Sequence, residues 1–527
     1  MRLFSILVLY LACSANAQTL KRSLITTPSN ANETSVAINP ANTDEMYAAC
    51  NVDRFFTYQP EDNLWNESVA RSRYGVYGDP VLHFSRGHLF YAHLSKTKGK
   101  KYGDWFDRIV VQKIVNAELW EEQSYSVGYN NGKMQDKPWL SSDEHSTQYK
   151  GNVYISWTEF DVYASHNPED RSRIRFSYFN PDMDSFSTAI TISDITGNCV
   201  DGDSTLEGAV TAVGPNGEIY AVWAGNNKIF FDKSLDGGKT WGEDKIIGEQ
   251  VNGWNMEMPN IMRANGMPFI VSDTIENTIY VCWADTRNGK ADIWAKHSTN
   301  QGEGWSDAFQ MDHNSKSHSY FPNMVYNPKE GGINVFYFDQ SRSPNEKYYD
   351  VMMSKFSPIH GYTEPVIVNY KPIALPGQRF FYGDYIDLDY QEETQLFCYP
   401  VYRGLHSSLA MVIVEGGWSP IYGRHHEQMH LQHLEDAVDV TANKEALYLS
   451  CYSSNFKKLK GKLTYWQDGE KRKIKFKYSP EDNGLKEHEL AMAKLDPNLD
   501  LYVSLKYRYK RLSDGKKIKL QVSHSYP

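Results

Sequence analysis

The chain has 527 residues, 14% of them aromatic with 36 tyrosines, and a formal charge of −10. That length suits one large core or several domains. The net negative charge argues against a general nucleic-acid-binding role, and so much aromatic content is high for a helical protein and ordinary for strands and sugar-binding surfaces.

Residues 1–17 read as a signal peptide: Arg2 supplies a positive start, Leu3 to Ala12 an apolar stretch, and Ala15-Asn16-Ala17 a small-residue cleavage pattern before Gln18. The apolar run is too short to span a bilayer, and no later run is long or apolar enough, so no transmembrane segment is expected. The expected location is secreted or periplasmic. A second reading makes Cys13 the lipid-anchor site of an outer-membrane lipoprotein, since Leu11-Ala12-Cys13 resembles the end of a bacterial lipobox, although Tyr10 fits poorly there. Beyond the leader remain Cys50, Cys199, Cys282, Cys398 and Cys451, an odd number in mostly similar strand contexts. They read as small buried residues, not as a disulfide scaffold.

From residue 34 onward one rhythm repeats. A first strand, often opened by proline, begins near Asp79-Pro, Lys137-Pro, Glu207-Gly, Met258-Pro, Phe321-Pro and Gly383-Asp. A second strand, rich in aromatics, follows as Leu89-Phe-Tyr, Val153-Tyr-Ile-Ser-Trp, Ile219-Tyr-Ala-Val-Trp, Ile279-Tyr-Val-Cys-Trp, Val335-Phe-Tyr-Phe and Leu396-Phe-Cys-Tyr. A third is centred on Ile109, Ile174, Ile229, Ile293, Val351 and Met411, at intervals of 65, 55, 64, 58 and 60 residues. An earlier unit begins at Thr34. Short alternating strands with turns between them at a constant period predict an all-β propeller, with seven blades the count favoured and six to eight left open. No amphipathic helix fits between the strands, which excludes a βαβ repeat. The expected organisation is a signal peptide over 1–17, a propeller over 18–423 and a β-rich C-terminal region over 424–527. That last region is an eighth blade, the piece that closes the ring, or an accessory β domain.

Ser234-Leu-Asp236-Gly-Gly238-Lys-Thr-Trp241 fits the pattern Ser-x-Asp-x-Gly-x-Thr-Trp at every defined position, and Ser298-Thr-Asn300-Gln-Gly302-Glu-Gly-Trp305 is a degraded copy one repeat on. On these residues and the blade rhythm, roughly residues 34–415 resemble the sialidase-like propellers with Asp-box (BNR) repeats. The resemblance implies structural roles for Ser234, Asp236, Gly238 and Trp241, in a turn on the face opposite the active site. It further implies arginines around a substrate carboxylate, a tyrosine nucleophile raised by a glutamate, and an aspartate as acid/base. One departure is plain: no Arg-Ile-Pro or Arg-Leu-Pro, the family's motif for the first clamp arginine, occurs in the chain.

In a propeller, the segments leading into first strands and the loops between second and third strands open on one face. These give Asp79, Asp136, Lys137, Glu207, Glu257, His318, Tyr320, Tyr382 and Asp384 from the first set, and Arg54, Arg287, Arg342 and Arg403 among the second. As a sialidase-like hydrolase, the chain would use Arg54, Arg287, Arg342 and Arg403 to bind a carboxylate by their planar forks. Tyr320 or Tyr382 would be the nucleophile, Glu207 or Glu257 its base, and Asp79 or Asp136 the acid. As a polysaccharide lyase on a uronate polymer, it would use His318 and Tyr320 to move protons and Arg287 and Arg342 to neutralise the uronate. A propeller that binds glycan or protein without catalysis is the third reading, with Trp283-Ala-Asp285-Thr-Arg287 and Asp339-Gln-Ser-Arg342 as loop-internal salt bridges. All three face an acidic glycan or a protein as partner and no nucleic acid. No cofactor is expected, with a divalent cation left open.

Two features compete. His426-Glu427-Gln-Met-His430 formally fits a zinc-peptidase motif, but its setting is strand-rich and lacks the helix that would align both histidines. The lysine-rich strands near the C-terminus read either as a surface for an anionic polymer or as solvated, edge-protecting faces.

Overall fold

The computed structural model describes residues 19–26, 31–61, 64–97, 106–114, 124–313, 316–341, 343, 346–369, 372–375, 377, 381–403, 406–415 and, beyond these, seven strand segments between 438 and 526. The signal segment, Cys13, Arg342 and the His426–His430 motif lie outside these residues. The chain divides into two compact units, Met1–Ile421 and Tyr422–Pro527.

The first unit is a seven-bladed β-propeller. Each blade is an antiparallel sheet of four or five strands, in sequence order from the centre outward except in blade 7, whose outermost strand comes from the start of the chain. The inner strands are Ser35–Asn39, Val81–Ser85, Met134–Ser142, Glu207–Val213, Phe269–Ser272, Ser319–Asn327 and Asp387–Gln391, in blades 1 to 7. The aromatic second strands are buried on both faces, as in Val153–Phe160, Ile219–Gly225 and Ile279–Asp285. This is why they read as continuous apolar runs and not as alternating ones. Outer strands such as Leu64–Val69 face solvent. Cys50, Cys282 and Cys398 sit buried and free in second strands of three blades, and Cys199 is also buried and free.

The ring is closed from the N-terminal side. Thr19–Thr26 is the outermost strand of blade 7, paired antiparallel with His406–Glu415, Thr19 opposite Glu415 and Thr26 opposite Ser408. The sequence allows the region after residue 423 either to close the ring or to stand as an accessory β domain; its described strands form two sheets, one of three strands and one of four.

The two Asp-box turns follow the third strands of blades 4 and 5. Asp236 accepts the N–H groups of Lys239 and Thr240 at 3.0 and 2.9 Å and the Thr240 hydroxyl at 2.7 Å. Gly238 donates its N–H to Ser234 at 2.9 Å with φ of 88°, and a Cβ there would lie 2.4 Å from Phe176. Trp241 packs edge-on against Phe176 of blade 3 at 4.9 Å. The second copy repeats the device with Asn300 in place of the aspartate and with Trp305 against Phe231 of blade 4 at 5.2 Å. Each turn pins its blade to the one before.

Candidate active site

The inner strands of blades 3, 4 and 6 share a backbone device. A bulge displaces the register between Asp136 and Trp139, Glu207 and Val210, and Tyr320 and Asn323. Within it Lys137, Gly208 and Phe321 take positive φ of 49°, 68° and 51°, and Asp79, just ahead of the blade 2 strand, has 51°. Such conformations cost about 1–3 kcal/mol for a residue with a side chain, and they aim the neighbouring side chains at the mouth of the central channel. At Gly208 a Cβ would meet Trp254 and Met267 at 2.9 Å, so only glycine fits.

Lys137 is the centre of what results. It is 3% exposed, and its Nζ lies 3.1 Å from Asp384 (blade 7), 3.3 Å from Asp136 (blade 3) and 3.4 Å from Glu207 (blade 4). The Trp254 ring sits 5.6 Å away. Arg263, from the loop entering blade 5, lays its guanidinium fork on Asp384 and donates to Asp201 at 2.6 Å, with the Phe381 ring over it at 5.1 Å. Asp201 also accepts the Tyr163 hydroxyl at 2.5 Å and the Trp254 N–H at 3.1 Å. Asn265 donates to Asp384 at 2.8 Å. On the blade 1 side, Glu33 accepts the N–H of Asp384 at 3.2 Å and hydrogen-bonds Asn51, whose Oδ1 receives the N–H of Asp79 at 2.8 Å. Six carboxyl groups from five blades and the loops between them thus gather around two cations.

Their environments push the carboxyls apart. Burial holds Glu207 and Asp79 well above the usual carboxylate range, the Asp201 charge adding to the effect at Glu207 and Glu33 at Asp79. Burial, reinforced by Asp384, raises Glu33 to about 7. Asp201 and Asp384 go the other way. Burial opposes their ionisation, but Lys137 and Arg263 outweigh it and keep both below the usual range. For Lys137, burial works against the charge and is outweighed first by Asp136, then Asp384 and Glu207. The mouth therefore holds ionised carboxylates beside proton-bearing ones, the division of labour acid/base catalysis requires. The accessible part is the rim: the Arg263 side chain is 26% exposed and Asp201 9%, while Glu207 is fully buried.

The remaining residues named from sequence fall elsewhere. Tyr320 is fully buried against Phe321 and Phe338, and Tyr382 packs on Tyr349 and Tyr402. Burial raises both phenols well above their ordinary value. His318 is half-buried, its ring nitrogen Nδ1 receives the N–H of Ala291 at 3.2 Å, and burial lowers its pKa. Arg287 is clamped by Asp285, donates to the Glu249 carbonyl at 2.7 Å and stacks on Trp283 and Trp294, as its loop-internal reading had it. Arg54 faces Asp53 and Glu67 of its own blade. Arg403 is described only as a strand end opposite His406, and Glu257 is exposed. The structure thus brings Asp79, Asp136, Lys137, Glu207 and Asp384 together and leaves Arg54, Arg287, His318, Tyr320 and Tyr382 out of the cluster. Glu33, Asp201 and Arg263 had not been singled out. The one pointer to them was position, since all lie in segments that enter a first strand. Among the described residues no group of three or more His, Cys, Asp or Glu is arranged to hold a metal ion, and no helix is long and apolar enough to cross a membrane.

Fold and site together define an all-β, seven-bladed propeller with a carboxyl-rich channel mouth. No protein-family model and no curated protein matches the chain. Among solved structures, a polysaccharide lyase of family PL25, an ulvan lyase bound to -[GlcA(1-4)Rha3S]-, aligns over 75% of this chain and 96% of its own at 10% identity, with a TM-score of 0.45. Trypanosoma rangeli sialidase aligns over 95% of this chain and 89% of its own at 10% identity, TM-score 0.36. An α-L-arabinanase of Penicillium chrysogenum complexed with arabinobiose aligns over 67% and 98% at 14% identity, TM-score 0.38.

Proposed function

We propose that this chain is an exported carbohydrate-active enzyme that hydrolyses an acidic glycan at the channel mouth. The observation that carries the reading is Glu207. It is fully buried, and among the described residues neither of its carboxyl oxygens has a hydrogen-bond partner. Lys137 Nζ lies 3.4 Å from it, and the charges of Asp201, Asp136 and Arg263 also act on it. A carboxyl left in that state is costly unless it serves chemistry. Held protonated, Glu207 is suited to donate to a leaving-group oxygen, and ionised Asp201 to activate water or stabilise the developing positive charge on the sugar. Arg263 is the exposed cation that can take a substrate carboxylate. Tyr129, in the segment leading into the blade 3 inner strand, is 54% exposed with the Arg108 guanidinium 4.4 Å from its ring centre, and Tyr77, leading into the blade 2 inner strand, is 36% exposed. These rings offer flat faces to sugar units beyond the cleaved bond.

Elimination is the second reading, favoured by one contact: the Tyr163 hydroxyl beside Asp201 and Arg263 pairs a proton carrier with a uronate-binding cation. A panel of sialylated and uronate-containing glycans separates the two. Hydrolysis yields new reducing ends with no ultraviolet chromophore, and elimination yields an absorbing unsaturated uronate. Glu207→Gln is expected to keep the fold, being the same shape as the protonated acid, and to lower turnover by about 10²–10⁴-fold. Full activity in that variant removes Glu207 from the mechanism. No cleavage of any glycan leaves a binding propeller.

A further inference from the structure

The second unit carries a strongly basic sheet face. Its four-stranded sheet places Glu470–Tyr478, Phe456–Gln467, Leu501–Arg511 and Lys517–Tyr526 side by side in that order. Residues paired across an antiparallel sheet share one face, and alternate residues along a strand share it too. On Glu470–Tyr478 one face receives Lys471, Lys473, Lys475 and Lys477. Lys475 pairs with Lys462 and Lys477 with Lys460 on the next strand. Those two pair in turn with Lys506 and Arg508. Arg508 pairs with Lys519, and Lys510 with Lys517, on the last strand.

That single face holds eleven cationic positions and, within these strands, no aspartate or glutamate. The opposite face pairs Leu463 with Ile474 and Leu505, and Gly461 with Phe476 and Tyr507. Lys473 and Lys475 are exposed. The bias is local: residues 422–527 contain 20 Lys and Arg against 14 Asp and Glu, in a chain with 55 against 65.

Edge protection needs a few lysines on an edge strand, whereas here the two central strands are as basic as the outer ones. Rows about 4.8 Å apart, with charges about 6.8 Å apart along each strand, repel one another unless an anion lies across them. Along the same face the basic rows give way to Thr464, Ser504 and Ser523 and to the cross-strand pair Trp466–Tyr502. Hydroxyls and aromatic rings beside cations are the chemistry of sugar recognition, with stacking on ring faces and hydrogen bonds to hydroxyls.

We propose that this sheet is an anionic-polysaccharide-binding face, taking uronate- or sulfate-bearing chains. The preference for polysaccharide over nucleic acid rests on the glycan-cleaving reading above. The test uses the full chain and measures affinity for heparin, polygalacturonate, neutral dextran and duplex DNA over a salt series. The wild type is expected to bind heparin or polygalacturonate, with an affinity that falls as salt rises, and not dextran. The triple variant Lys473→Gln, Lys475→Gln, Lys506→Gln is expected to bind on the order of tenfold more weakly with a flatter salt dependence. The corresponding triple change to arginine should keep the binding. Cleavage of a short soluble substrate should be unchanged in both. Equal affinity in the glutamine variant, no polysaccharide binding by the wild type, or tighter binding of DNA than of either acidic glycan overturns the assignment. Salt-sensitive polysaccharide binding that the variant loses, in a protein that cleaves nothing, upholds this face and removes the catalytic reading instead.

Discussion

Asp236 and Asp201 are both loop aspartates of one propeller, both held ionised, and their partners differ in kind. Asp236 draws on Lys239 and Thr240, three and four residues along its own turn. Asp201 draws on Tyr163, Trp254 and Arg263, which lie 38, 53 and 62 residues away. The first carboxylate is satisfied by the turn it helps to form, so it recurs wherever that turn recurs, and Asn300 substitutes for it in the next blade. The second is satisfied only once three blades have been assembled. Local satisfaction builds the fold; satisfaction across blades builds a site whose charges depend on one another.

If that contrast is right, the largest stability loss should follow removal of the shared cation. Lys137→Met leaves Asp136, Glu207 and Asp384 without their common partner and should cost about 3–5 kcal/mol at neutral pH, read by chemical denaturation. Lowering the pH should restore part of it as the carboxyls take up protons. A loss no greater than that of a surface lysine would mean the cluster is not coupled. Gly238→Ala tests the other side of the comparison. With φ at 88° and Phe176 in the way, it should cost about 1–3 kcal/mol in thermal or chemical unfolding without changing turnover.

The pH dependence of stability separates the two regions further. Glu33 titrates at about 7 in the folded chain against an ordinary 4.5. Between those values the folded state holds a proton that the unfolded chain has released, so stability falls as pH rises through that window. Asp79 acts in the same direction. Asp201, Asp384 and Asp236 are depressed, so their contribution is present above the usual carboxylate range and is lost as pH falls below it. Stability should therefore peak at mildly acidic pH, and Glu33→Gln should flatten the decline on the alkaline side. A stability that climbs steadily from about pH 5 to pH 8 in the unmodified chain would contradict this balance. The smallest effect belongs to Arg54→Ala, whose partners Asp53 and Glu67 are partly exposed. It should change stability by less than about 1 kcal/mol and leave turnover untouched.

The same contrast explains what the sequence reveals. Blades are legible because their second strands repeat one aromatic pattern, and the turn at Asp236 is legible because all its partners are adjacent. Asp79, Asp136, Lys137, Glu207 and Asp384 stand out because each immediately precedes or opens a first strand. Asp201 and Arg263 do not, since the loops entering blades 4 and 5 have no common length and fall outside the pattern. Glu33 precedes the first traced repeat by one residue. Arg287 looks like a substrate clamp for a physical reason: an exposed-loop arginine and one spoken for by Asp285 two residues earlier read alike until the side chain is seen.

The strand Thr19–Thr26 has a consequence for how the ring is made. As the chain is synthesised, six blades can complete themselves from consecutive residues, but the seventh waits for a segment made at the very start. Lys21 and Glu415, joined at 2.6 Å across that seam, are 394 residues apart. In an unfolded chain closing so long a loop would carry an entropic cost on the order of 5 kcal/mol, and the blades already formed reduce it by bringing blade 1 against the inner strand of blade 7, where Ser35 and Val36 bond to Asp387. Until it closes, His406–Glu415 offers unpaired backbone to any other chain. Assembly of this propeller is thus a race at a single edge between its own first strand and a neighbouring molecule, and yield in recombinant production should depend on chain concentration at that step more than on the strength of any blade.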